Sequence, residues 1–211
     1  MLVAVGGHTR NIGKTSVVAG LIQALPQWDW TAMKITQFGH GICSVSGSAC
    51  DCCLGPEHPY AIAEETRATR TDSGRFLAAG ARRSYWLRTA AGQLGVALPA
   101  LDEVIASSRN LIVESNSIVD FLTPHLYLVV LDFAQRDFKA STKRHLDRAD
   151  ACIVIERGAR APEWSGVAHA GWQDKPSFRV NPPQYVTAAL AAFVNDRLAA
   201  GEPAGSGGAA L

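Results

Sequence analysis

Residues 6–16, GGHTRNIGKTS, constrain this chain more than any other stretch. An apolar run, Leu2-Val3-Ala4-Val5, precedes them, and a helical pattern, Val17-Val18-Ala19-Gly20-Leu21-Ile22, follows. Strand, glycine-bearing loop, Lys-Thr and helix is the layout of a phosphate-binding loop. The backbone N–H groups of such a loop, from Gly7 through His8, Thr9, Arg10, Asn11, Ile12 and Gly13 to Ser16, can surround a polyphosphate. The first turn of the helix adds unpaired donors and a partial positive charge. Lys14 would reach the outer phosphates, and the Thr15 hydroxyl would take a position on Mg²⁺. The usual spacing puts a glycine where His8 stands; here the glycine comes one place earlier, at Gly7. The His8 ring is a candidate donor to phosphate.

The rest of the chain reads as strands alternating with helices. Strands are expected over Leu2–Val5, Thr31–Ile35, Ser84–Arg88, Leu111–Glu114, Leu126–Leu131, Ala151–Ile155 and Phe178–Val180. Helices are expected over Lys14–Leu25, Ala61–Arg70, Ser73–Arg82, Pro99–Ser107 and Pro183–Ala199. Continuous Val/Ile/Leu runs separated by helices predict a mostly parallel sheet covered on both faces, a three-layer α/β/α fold. One domain over residues 1–199 is expected, with a Cys-rich insert at 38–59 and a flexible tail at 200–211. In open parallel sheets, ligands sit at the carboxyl ends of the strands. Polar residues follow almost every predicted strand: Lys34, Thr36 and His40; Glu114, Ser115, Asn116 and Ser117; Asp132; Glu156 and Arg157; Asn181. Glu114, ending a buried strand, is a candidate for holding Mg²⁺. Asp72 either caps the helix beginning near Ser73 or faces the metal or the attacking nucleophile, with Arg75 on a phosphate.

A net charge of +1 and scattered Lys and Arg give no footprint for nucleic acid or an anionic membrane. No apolar run approaches the roughly 20 residues that span a bilayer. With no basic start or cleavable apolar segment, a cytoplasmic location is the expectation. The five cysteines then read as thiols, ligands or buried apolar residues. Four fall in one segment: Cys43, Cys50, Cys52 and Cys53, flanked by His40 and His58. Clustered thiolates repel unless a cation or proton neutralises them, so the segment is a candidate for Zn²⁺ or an iron–sulfur cluster, and equally for free thiols. Cys152 reads as packing.

The phosphate loop, Met33-Lys34-Ile35, the segment Asp72-Ser73-Gly74-Arg75-Phe76-Leu77-Ala78-Ala79-Gly80-Ala81, and Leu111-Ile112-Val113-Glu114 occur in that order. This series resembles the molybdopterin-guanine-dinucleotide biosynthesis protein B family, GTP-binding accessories of molybdenum-cofactor maturation. The loop and the lysine after the second strand also resemble dethiobiotin synthetase. Both families lie in the class of P-loop proteins that includes signal-recognition GTPases, Min ATPases and metallochaperones. The resemblance covers most of residues 1–135 and implies ATP or GTP bound with Mg²⁺. Lys14, Lys34, Asp72 and Glu114 would then be the catalytic set, with Thr15 and Glu114 on the metal. The guanine-reading Asn-Lys-x-Asp is absent after the late strand: Glu156 stands where its asparagine would fall. By the synthetase resemblance, Asn181 could touch a base edge. Four roles stay open: an accessory NTPase, a metallochaperone-like switch carrying its cargo on the cysteine segment, a small-molecule kinase or ligase, and, given His8 in the loop, a degenerate binding module that does not hydrolyse. A homodimer formed over the nucleotide stays open too.

Overall fold

The computed structural model describes residues 1–38, 60–167 and 171–201. Eight strands form one sheet: β1 (Leu2–Gly7), β2 (Thr31–Phe38), β3 (Tyr60–Glu64), β4 (Arg83–Ala90), β5 (Leu111–Glu114), β6 (Leu126–Asp132), β7 (Ala151–Ile155) and β8 (Ser177–Val180). Their order is β3-β4-β2-β5-β1-β6-β7-β8. Every neighbouring pair is parallel except β3 with β4. The helices are α1 (Lys14–Ala24), α2 (Asp72–Ala78), α3 (Leu98–Ala106), α4 (Ala140–His145) and α5 (Ala188–Gly201). The expected α/β fold with a mostly parallel sheet is what the chain adopts.

Alternation along β1 shows why both faces are covered. Val3 and Val5 enter a core with Val17, Leu21 and Ile22 of α1, Phe76 of α2 and Leu190, Val194 and Leu198 of α5. Ala4 enters the opposite core with Leu101 and Val104 of α3, and with Leu94, Ile118, Leu146, Trp164 and Trp172 from connecting segments. A strand buried on both sides has no polar face to display, so its sequence loses period-two alternation and becomes a continuous apolar run.

One expected helix is absent. Residues 61–70 divide between β3 and an irregular stretch leading to α2. Tyr60 and Ile62, two residues apart as one face of a strand requires, pack on the core. Glu64 also pairs with Arg83 across the edge. Pairing with β4 outweighs the local preference of the Ala- and Glu-rich run for helix. The cysteine segment, with His40, Cys43, Cys50, Cys52, Cys53 and His58, lies outside the described residues.

Candidate functional site

Sheet order assembles the site. β5 lies between β1 and β2, so Glu114 is in register with Val5 on one side and Lys34 on the other. Three residues far apart in sequence therefore stand side by side where β5 ends, with Lys34 inside β2, which runs on to Phe38. The N-terminus of α1 enters the same place. The Lys34 ammonium donates to Glu114 and pairs with Asp72 at 3.0 Å. The Thr15 hydroxyl donates to the other Glu114 oxygen at 2.7 Å and lies against Asp72 as well. Glu114 is buried, and Asp72 is half-exposed at the start of α2.

These charges hold one another. Burial alone would push Lys34 towards neutrality, but Glu114 and Asp72 outweigh it and raise its pKa. Burial also works against the Asp72 charge, and Lys34 reverses that, so the carboxyl titrates below its ordinary value. Lys14 is less well compensated. Its ammonium donates to the Thr9 carbonyl at 2.7 Å. Desolvation by burial is the largest influence on it, opposed by Glu114 and reinforced by Lys34, and its pKa falls to about 8. A buried ammonium short of anions fits a group that awaits one.

The loop itself is fixed by backbone contacts. The Asn116 carbonyl accepts from Gly7 N–H at 2.6 Å, and its amide returns a bond to Gly7 C=O at 2.8 Å. Thr142 of α4 donates to the same carbonyl at 2.9 Å. Gly13 has φ of +91° and lies under Tyr185: a Cβ there would be 2.3 Å from the ring. Only glycine meets both demands. Asn11 is also left-handed, with φ of 57°. Ile12 anchors the loop in the core, Arg10 and Asn11 face solvent, and Ser16 accepts from Arg75 at 2.9 Å.

His8 departs from the expected phosphate donor. Its Nδ1–H donates to the Asp137 carbonyl at 2.8 Å, and its Nε2 accepts from Asp132 N–H at 3.0 Å. Its own N–H bonds Val130 C=O. No ring proton remains for a ligand. Burial holds its pKa below the ordinary value, favouring the neutral ring that these partners require. The ring packs between Phe138 and Trp164, with centroids at 5.0 and 4.8 Å. A histidine where a loop glycine is usual thus ties the loop to β6 and the segment after it.

Other strand-end residues pair among themselves. Buried Asp132 takes Arg157 at 2.8 Å, and Glu156 takes Arg179. Asn181 is exposed after β8. The chain after it, Pro183 to Val186, forms one wall of a groove of about 550 Å³, opposite Ser16, Gly20 and Arg75. Sequence reasoning did not single out Asn116 beyond its strand-end position, and it missed Thr142, Tyr185 and Lys139. Lys139 precedes α4, where its N–H bonds His8 C=O at 2.8 Å. Burial and the nearby charges of Arg10 and Lys34 lower its pKa, which marks it as a further cation of this edge. No local motif announces any of the three.

The donors Thr15, Asp72 and Glu114 are hard oxygens, and the Lys34 ammonium already stands between the two carboxylates as a cation. That set fits Mg²⁺, which keeps most of its shell as water and phosphate oxygen and needs few protein ligands. Among the described residues, no three His, Cys, Asp or Glu side chains converge as a metal cage. Also among them, no helix is long and apolar enough to cross a membrane.

No family profile and no curated protein sequence matches the chain. Among solved structures it is similar to LpxK from Aquifex aeolicus, an "apo" form in complex with ATP, with TM-score 0.47 and 16% identity over 84% of this chain and 53% of that one. It is also similar to HypB from Helicobacter pylori in complex with nickel, with TM-score 0.48 and 15% identity over 93% of this chain and 85% of that one. The chain thus spans about half the length of LpxK. At these identities the likeness is one of fold.

Proposed function

We propose that this chain binds a Mg²⁺–purine nucleoside triphosphate in the loop between β1 and α1 and cleaves or transfers its terminal phosphoryl group. One observation carries the reading: an under-compensated, partly buried ammonium, Lys14, lies beside the Thr15–Glu114–Lys34–Asp72 network at a helix N-terminus. The loop amides and Lys14 hold the β and γ phosphates. Thr15 and Glu114 attend the metal, which would neutralise phosphate charge when bound. Lys34 lies near the γ phosphate. Asp72, kept ionised by Lys34, orients the attacking oxygen. In hydrolysis, water attacks the γ phosphorus, the bond to the bridging β-phosphate oxygen breaks, and a nucleoside diphosphate leaves. The protein acts by positioning and charge compensation rather than by covalent chemistry.

The groove lined by Ser16, Gly20, Arg75, Gln184 and Tyr185 would take the nucleoside, and Asn181, just before that wall, would reach a base edge. For the biological role, the ordered segments through Glu114 favour an accessory NTPase of molybdopterin-type cofactor synthesis. Calorimetry of Mg–ATP and Mg–GTP tests the core reading. Saturable binding of at least one is expected, with loss of about 100-fold or more in Lys14→Ala, given that a charge-assisted contact to phosphate is removed. No saturable heat with either nucleotide would sink it.

A further inference from the structure

Beyond the network at Lys34, the α2-side face of the sheet carries residues that the nucleotide site does not use. Thr36, two residues along β2, lies on the same face as Lys34. Lys34 is in register with Trp86 of β4, and Thr36 with Arg88. The Trp86 indole N–H donates to Thr36 Oγ at 3.0 Å. The Arg88 guanidinium stacks over the Trp86 ring at 4.7 Å. On the far side, β3 sets Ala61 beside Arg88 and Ala63 beside Trp86, so the side chains directly opposite the pair are methyl groups.

Arg88 lacks what other arginines of this chain have. Arg83, Arg157 and Arg179 each hold a carboxylate. Among the described residues no carboxylate pairs with Arg88, and its Nε is closed off from solvent without a hydrogen-bond partner. A buried Nε–H is costly to leave unpaired, and the flat fork of a guanidinium matches an oxyanion. With strands about 4.8 Å apart and about 3.3 Å of rise per residue, the Arg88 and Lys34 backbones lie about 8 Å apart.

We propose that Arg88, Trp86 and Thr36 form a second small-molecule site for a compound bearing a carboxylate or phosphate, held beside the γ-phosphate position. Its placement next to a nucleotide rests on the function proposed above; the oxyanion site does not. The groups facing it are the Arg88 guanidinium, the Thr36 hydroxyl and the Lys34 ammonium. Its ligand therefore meets the Arg88 guanidinium and a hydroxyl, with the Lys34 ammonium, itself held by Glu114 and Asp72, at its edge.

The test uses the full chain, ¹⁵N-labelled, carrying Lys14→Ala so that the phosphate loop does not compete. Inorganic phosphate and succinate are titrated separately while the Trp86 indole N–H resonance is followed, assigned by its loss in Trp86→Phe. At least one probe should shift it saturably, and adding Arg88→Gln should weaken that binding about tenfold or more, with partial recovery in Arg88→Lys. A larger response to phosphate assigns a phosphate-bearing ligand; a larger response to succinate assigns a carboxylate. No saturable shift with either probe overturns the proposal, as does an unchanged titration in the Arg88→Gln chain. In parallel, Arg88→Gln in the otherwise native chain should keep Mg–nucleotide affinity within about threefold; a tenfold loss would move Arg88 into the nucleotide grip and overturn the separate site. Absence of nucleotide binding by the native chain refutes the phosphate-loop reading while the Trp86 titration still decides this one.

Discussion

Replacing Lys14 by Met should make the protein more stable while abolishing its function. The folded chain holds the Lys14 ammonium away from water, and its pKa drops from 10.5 to about 8. At about 1.36 kcal/mol per pH unit, keeping that charge in the fold costs about 3 kcal/mol near neutrality. The bond to the Thr9 carbonyl returns about 1 kcal/mol, so Lys14→Met should gain about 2 kcal/mol. The sign with pH follows from linkage. Below about pH 8 the lysine is charged in both folded and unfolded chains, and the full penalty applies. Between about 8 and 10.5 the folded lysine is neutral while the unfolded one still binds its proton, so native stability rises with pH. The gap between the two proteins should therefore shrink across that interval. Urea unfolding at half-unit steps from pH 6.5 to about 10 measures it, with the m-value checking two-state behaviour. A Lys14→Met chain that is less stable at neutral pH, or a difference that ignores pH, refutes the view that this ammonium is held at a cost.

The same titration should govern ligand binding: Mg–nucleotide affinity is expected to fall about tenfold for each pH unit above about 8, by calorimetry. Glu114→Gln should reduce the benefit of Mg²⁺ to nucleotide affinity about tenfold and leave affinity in chelator nearly unchanged, in paired titrations. Gly13→Ala should destabilise the protein by about 2 kcal/mol or more, since φ is +91° and the new methyl meets Tyr185. Adding Tyr185→Ala should recover part of that loss, read as a non-additive double-mutant cycle. Asn116→Ala should cost about 2 kcal/mol in chemical unfolding, because both Gly7 backbone groups lose a buried partner.

The layered fold was legible because strands buried on both faces become unbroken apolar runs, as in Leu126–Leu131. The strand–loop–helix around residues 6–16 was legible because its signal is local. Two things were not. The pairing of 60–64 with β4 depends on a partner more than twenty residues away, and an Ala- and Glu-rich run carries no trace of it. His8 looked like a donor because its position lies inside a motif; its actual partners, Asp132 and Asp137, are over 120 residues distant. Glu114 was a candidate from its strand end alone, but its contact with Lys34 required β5 to slot between β1 and β2. Sequence order does not disclose that insertion.

The interleaving of β5 and β6 around β1 also sets a timetable. Of the strands in this sheet, the first in the chain is the one in the middle, and both its neighbours follow more than one hundred residues later. Pairings this distant along the chain slow folding. A nascent chain stopped before Asp132 lacks the partner that steadies His8, and one stopped before Tyr185 leaves Gly13 uncovered. The loop that precedes α1 is thus secured by contacts that come from far later in the chain, and a truncated chain holds it without them.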